Sequence, residues 1–101
     1  MNSNLTLRQL RAFDAVATEG SFTKAAQRLF LTQSALSVLV REMERELGVA
    51  LFDRHTRRVE LSEAGRDLYA SVRRILNELN QAVGSVTDLR DKRKGVLRLA
   101  A

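Results

Sequence analysis

Cysteine, proline and tryptophan are absent from this 101-residue chain, and histidine occurs once, at His55. Without cysteine there is no disulfide framework and no thiolate site for zinc or redox chemistry. The lone histidine has no metal-ligand company, and no glycine-rich phosphate loop precedes a helix. Neither a metal site nor a catalytic residue is therefore assigned, and an enzyme is the least supported reading. With no proline and only five glycines, the chain is expected to be mainly helical with short connections. No apolar run reaches the ~20 residues that a membrane-spanning helix needs. The opening MNSNLTLRQLR also lacks the basic-then-apolar layout of a signal peptide. A cytoplasmic protein with no membrane partner is expected.

What is present fits one folded unit. Apolar residues make up 45% and charged ones 29%, enough for one hydrophobic core and too apolar for a disordered chain. The net charge of +5 points to an anionic partner.

After a loose start, Thr6 opens TLRQ, a capping box. Leu7, Leu10, Phe13, Val16 and Ala17 then share one helical face. That predicts a first helix to about Thr18, ended by Gly20. Ser21 caps a second, shorter helix in SFTKAAQRLF, with Ala25, Ala26, Leu29 and Phe30 as its apolar positions. The paired alanines permit a close neighbour. Only Leu31 and Thr32 separate this helix from the next.

That next stretch, TQSALSVLVREMERELGV, is the one the rest is arranged around. Thr32 is a good N-cap and Gly48 the usual residue past a helix end. Leu36, Val40, Met43 and Leu47 fall in one sector, with Leu39 at its edge. Opposite lie Ser34, Ser37, Val38, Arg41 and Arg45, with Gln33 at the shoulder. An ordinary amphipathic helix with a solvated face explains the oily side. It does not explain why the outer residues near the N-terminus are so short. A helix entering a DNA major groove by its N-terminal end needs that profile. Two short helices and a tight turn, the second with a small polar N-terminal face, make a helix-turn-helix.

Beyond Gly48, Val49, Leu51 and Phe52 read as a short strand. Val59 and Leu61, alternating with Arg58 and Glu60, read as a second, with Asp53 to Arg57 as the turn. The hairpin would make the motif winged. Arg54, His55, Arg57 and Arg58 cluster at its tip; such a run is either a solvated turn or a set of phosphate contacts, which counterion release rewards.

Ser62 caps a long final helix. Its apolar positions Leu68, Val72, Ile75, Leu79, Ala82, Val86 and Leu89 step by 4, 3, 4, 3, 4 and 3 residues. That is a heptad seam, widened by Leu76 and Val83. From Ser62 to Arg90 it would be roughly 43 Å long at ~1.5 Å per residue, more than the preceding sixty residues can cover. The seam is expected to be buried on a second chain, the alternative being a helix folded back over its own domain. Lys92 to Gly95 reads as a hinge, and VLRLAA as the start of a strand whose partners lie in a further domain.

Together LRQLRAFDAVATEGSFTKAAQRL, TQSALSVLVREMERELGVALFDR, RRVELSEAG and KGVLRLAA, in this order and spacing, resemble the N-terminal domain of LysR-type transcriptional regulators over essentially the whole chain. The resemblance implies a mainly α fold, with a winged helix-turn-helix (residues 1–61) followed by a long linker and dimerisation helix (62–91). Residues 92–101 would be a hinge and the start of a C-terminal effector-binding domain. It implies base edges near Gln33, Ser34, Ser37 and Val38, and phosphate contacts from Ser21, Thr23, Thr32, Arg41, Arg54, Arg57 and Arg58. A homodimer would form through Leu68, Val72, Ile75, Leu79, Ala82, Val86 and Leu89, antiparallel in the linker helices.

The implied partners are double-stranded DNA with an interrupted palindromic operator, a second copy of the chain (a tetramer in the full-length protein), and RNA polymerase. This segment needs no cofactor; a small-molecule effector belongs to the C-terminal domain. Two positions depart from the family pattern: Ser34 stands where proline is usual, and Val38 where arginine or glutamine often is. Valine cannot hydrogen-bond a guanine but can touch a thymine methyl. More of the recognition then falls to DNA shape. A protein-interaction module, with the seam as its working surface, is the competing class; neutralising Arg54 to Arg58 would separate the two.

Overall fold

A computed structural model describes residues 4–53 and 58–100, with side chains through residue 93. The elements run α1 (Leu7–Glu19), α2 (Phe22–Leu29), α3 (Gln33–Leu47), β1 (Phe52–Asp53), β2 (Glu60–Leu61) and α4 (Glu63–Ala100). Each of the first three helices starts where a side-chain oxygen can satisfy an orphan amide. Thr6 accepts from Gln9 N at 3.1 Å while Gln9 Oε1 accepts from Thr6 N at 3.0 Å, closing the capping box. Ser21 accepts from Lys24 N and Thr32 from Ala35 N, both at 3.1 Å. Gly20 (φ 63°) and Gly48 (φ 72°) end α1 and α3 in the left-handed conformation.

The end of α2 departs from the sequence expectation. Phe30 is not an apolar core position; it is the left-handed C-cap (φ 57°) and is 94% exposed. The turn into α3 is so short that the chain must reverse at this residue. Its N–H is spent on the carbonyls of Ala26 and Gln27, and its side chain is turned out to solvent.

Phe13 and Val16 of α1, Ala25 and Ala26 of α2, and Leu36, Val40 and Met43 of α3 are buried together. Phe52 closes this core from the hairpin, its ring 5.5 Å from Phe13 and 5.8 Å from Phe22. The alanines of α2 let its neighbours approach, as their pairing suggested.

The hairpin is antiparallel, Phe52 opposite Leu61 and Asp53 opposite Glu60. It starts later than expected, because Val49 and Leu51 are not strand residues. The amides of Gly48 and Val49 bond the Glu44 carbonyl at 2.8 and 3.2 Å, and that of Leu51 bonds the Glu44 carboxylate at 2.7 Å. Those donors are committed to the end of α3 and cannot join a ladder. Arg54, His55 and Arg57 of the expected tip lie outside the described residues.

Ser62 fastens the base of the hairpin to α4. Its hydroxyl donates to the Ala50 carbonyl at 2.7 Å and accepts from Gly65 N at 3.0 Å, while its own N–H bonds the Leu51 carbonyl at 2.9 Å. Gly65 is required here, since a Cβ would collide with the Leu51 carbonyl oxygen.

The long helix divides its seam between two environments. Val72 (0% exposed) and Leu76 (7%) belong to the chain's own core, and Leu68 packs against it. Val72 is therefore not available to a second chain, a correction to the expected interface. Arg73 also ties this part of α4 to α1, its guanidinium 3.2 Å from the buried carboxylate of Asp14. Farther along, Ile75, Val83, Val86 and Leu89 are exposed.

The helix also does not stop at residues 90–91. It runs through the expected hinge at 92–95 and the expected strand at 96–101 as far as Ala100. No proline interrupts it, and a glycine costs a helix only about 1 kcal/mol. The molecule is accordingly elongated, 63 × 32 × 19 Å.

Candidate nucleic-acid interface

The buried face of α3 fixes what its other face presents. With Leu36, Val40 and Met43 wholly inside, helical geometry turns Gln33, Ser34, Ser37, Val38 and Arg41 outward. These five residues line one shallow depression of about 320 Å³. Gln33, Ser34 and Arg41 are exposed and Ser37 is half-buried. Val38 is 49% exposed, an apolar spot within a polar face. The four residues expected at base edges thus lie side by side. The depression follows the first two turns, where the backbone amides and helix dipole favour an anion.

The residues expected on phosphates are spread around this surface. Ser21 and Thr32 cap α2 and α3 with their hydroxyl oxygens. Capping uses an acceptor lone pair, so each O–H can still donate to a phosphate. Arg41 and Arg58 are exposed, on α3 and beside β2 respectively. Arg54 and Arg57 fall outside the described residues.

Thr23 has a second task. Its hydroxyl donates to Gln33 Oε1 at 3.3 Å. The bond orients the Gln33 amide and leaves its NH2 and one carbonyl lone pair for a ligand. No local pattern in the sequence marks this link between α2 and α3. Glu44 was missed too: by holding Leu51 N it sets the hairpin against the end of α3. A contact across the α3–β1 connection has no periodic signature that could reveal it.

Among the described residues no His, Cys, Asp or Glu group could hold a metal ion, and no helix is long and apolar enough to cross a membrane.

Three helices with a two-stranded hairpin against the third, and a small polar face on that third helix, define a winged helix-turn-helix DNA-binding domain. Residues 7–66 match the model of the bacterial regulatory helix-turn-helix protein, lysR family, and the chain belongs to that family. It is 41% identical over 97 residues to the RuBisCO operon transcriptional regulator of Allochromatium vinosum, covering 96% of this chain and 32% of the relative. It is 42% identical over 98 residues to the uncharacterized HTH-type transcriptional regulator YfeR of Shigella flexneri, covering 97% of this chain and 32% of that one. The chain thus spans about a third of the length of these curated relatives.

Among solved structures, the BenM DBD in complex with benA site 1 DNA superposes with a TM-score of 0.79 at 37% identity, over 83% of this chain and 94% of that one. Full-length BenM gives 0.74 at 39% identity, over 78% of this chain and 26% of that one.

Proposed function

We propose that this chain is the sequence-specific DNA-binding part of a bacterial transcriptional regulator, working as a dimer. The N-terminal half of α3 enters the major groove with Gln33, Ser34, Ser37 and Val38 at base edges. Ser21, Thr23, Thr32, Arg41 and Arg58, with Arg54 and Arg57 of the hairpin tip, hold the phosphates on either side. The observation that carries this reading is the depression on α3. Its lining is polar at the N-terminal end, where a groove must be entered, and cationic at Arg41, about two turns on, where a phosphate would lie. The likeness to a DBD–DNA complex supports it.

Two copies bound through α4 would read an interrupted palindrome, as two-fold symmetric proteins do. The apolar positions left exposed along α4 support the dimer. An effector-binding domain beyond α4, a full-length tetramer, cytoplasmic location and a contact with RNA polymerase complete the expectation for the whole protein. Selection from a pool of random duplexes tests the core of it. The purified chain should enrich a motif with two related half-sites. Recovery of unenriched sequence, or of a single half-site, would contradict the reading.

A further inference from the structure

A cleft of about 490 Å³ opens between α1, the end of α2 and α4, and no residue of α3 lines it. Four arginines reach it from three elements: Arg11 of α1, Arg28 of α2, and Arg73 and Arg74 of α4. The carboxylate among the described lining residues is Asp14, buried and already bonded through both oxygens to Arg73, at 3.2 and 3.5 Å. Arg28 has a long contact of 3.9 Å to Glu19 at the end of α1. Among the described residues, Arg11 and Arg74 have no carboxylate partner. Arg74 donates to the Ser71 hydroxyl at 3.3 Å. All four arginines are exposed, so their forks can turn toward a ligand.

A run of charge along one helix face is ordinarily a solvated surface. Here the guanidiniums converge from three elements on one concavity, where like charges repel and an anion would relieve them. Asn77 and Asn80 add amide donors to the lining. The apolar lining is Leu29 and Leu76, without the aromatic anchors on which a protein partner's affinity usually rests. At 3.6 residues per turn Arg73 and Asn77 lie on the side of α4 opposite Ile75. The cleft is thus separate from both the exposed apolar strip of α4 and the outer face of α3.

We propose that this cleft binds a compact phosphorylated ligand, its diphosphate group held between the guanidiniums of α1, α2 and α4. Four arginines against one aspartate leave three cations to balance. A terminal phosphate carries about −1.5 to −2 charges near neutral pH, so one phosphate falls short and two adjoining ones match. Phosphate also presents its oxygens in tetrahedral directions, which suits donors on three walls, whereas a carboxylate is planar. Guanidinium forks bond such oxygens in pairs. The volume lies within the roughly 300–1,000 Å³ of small-molecule sites. A ligand there joins α1 and α2 to α4 where the long helix leaves the head.

The chain is titrated calorimetrically with inorganic pyrophosphate at constant ionic strength and without DNA, so the result does not depend on the DNA-binding reading. One saturable site per chain is expected. Arg11→Gln and Arg74→Gln should each weaken it about three- to tenfold, the loss of a charge-assisted hydrogen bond discounted for exposure. Both changes fall on exposed side chains and leave the Asp14–Arg73 pair intact, so the fold is retained. Arg90→Gln removes the same charge outside the cleft and should leave the affinity unchanged. Citrate, whose anionic groups are planar carboxylates, should bind more weakly than pyrophosphate.

Absence of saturable binding would overturn the proposal. Equal losses in all three variants would overturn it too, by reducing the attraction to net charge. Citrate binding as tightly as pyrophosphate would overturn the assignment to phosphate. The same variants are then measured on a DNA duplex without pyrophosphate, where the salt dependence should match that of Arg90→Gln. A flatter dependence for Arg11→Gln and Arg74→Gln would make the cleft a contact with the DNA backbone and contradict a ligand site.

Discussion

Phe30 shows how much one residue can carry that its chemistry does not favour. A non-glycine residue in the left-handed region costs about 1–2 kcal/mol, and a fully exposed ring recovers little of that by burial. Asparagine accepts this conformation more readily. Phe30→Asn should therefore stabilise the domain by about 1 kcal/mol, read as a higher urea midpoint with an unchanged slope. A loss of stability would mean that the ring is covered.

Gly65 is the opposite case, because its missing side chain is what lets the base of the hairpin approach α4. Gly65→Ala should destabilise by about 1–3 kcal/mol, the range for overpacking. Gly84 has open space around it and lies within α4, so Gly84→Ala should stabilise by about 1 kcal/mol. Thermal unfolding of the pair measures both signs together; equal shifts would refute the steric account.

At the scale of elements, the start of α4 is held to the domain by apolar contact and by one ion pair. Asp14 is 7% exposed at its side chain and Arg73 55%, so solvent screens the pair on one side only. Removing Arg73 would leave a buried carboxylate without its cation. Arg73→Ala should cost about 1–2 kcal/mol, between the exposed and the buried limits. Chemical denaturation checks the size. Arg73→Ala with Asp14→Asn should recover part of the loss, and no recovery would mean that Arg73 acts through its aliphatic stem.

The same elements show what the sequence made legible. Caps and stops were readable because they are local: Thr6, Ser21, Thr32, Gly20 and Gly48 act within a turn of themselves. The groove face of α3 was readable because burying Leu36, Val40 and Met43 determines what points away. Periodicity says which face is apolar but not what covers it, which is why Val72 was assigned to a second chain and lies in the chain's own core. The strand start was misplaced because Glu44, a residue of the helix, takes the amides of Val49 and Leu51. The links from Thr23 to Gln33 and from Arg73 to Asp14 join separate elements, and no local pattern announces them.

As a whole, the molecule is a compact head on a helix that extends well past it, 63 Å in its long direction. Val86 is 70% exposed, so its side chain does little for the isolated chain. In a dimer formed through α4 it would lie within the interface. Val86→Asp should then give monomers, because a carboxylate would be buried there without a partner, while leaving the thermal stability of the head unchanged. Sedimentation velocity distinguishes the cases, and an unchanged dimer would place the interface elsewhere.

Two linked helix-turn-helix heads would also bind a two-half-site duplex far more tightly than one head, by effective concentration. Such binding should fall steeply with salt, by about 0.9 in log–log slope for each phosphate contact.

Base reading by the outer face of α3 is the claim on which the account turns, and Gln33 tests it most directly. Its amide, steadied by Thr23 at 3.3 Å, still has a donor and an acceptor for the edge of an adenine. Such a contact discriminates by roughly 1–3 kcal/mol. Arg41, by contrast, should contact phosphate and carry no sequence information. The measurement is competition binding of wild type, Gln33→Ala and Arg41→Gln to the selected duplex and a scrambled one at one fixed salt concentration. Gln33→Ala should lose about 5- to 100-fold on the selected duplex and almost nothing on the scrambled one, while Arg41→Gln should weaken both by similar factors. Equal losses on the two duplexes for Gln33→Ala would make Gln33 a positioning residue and contradict the account.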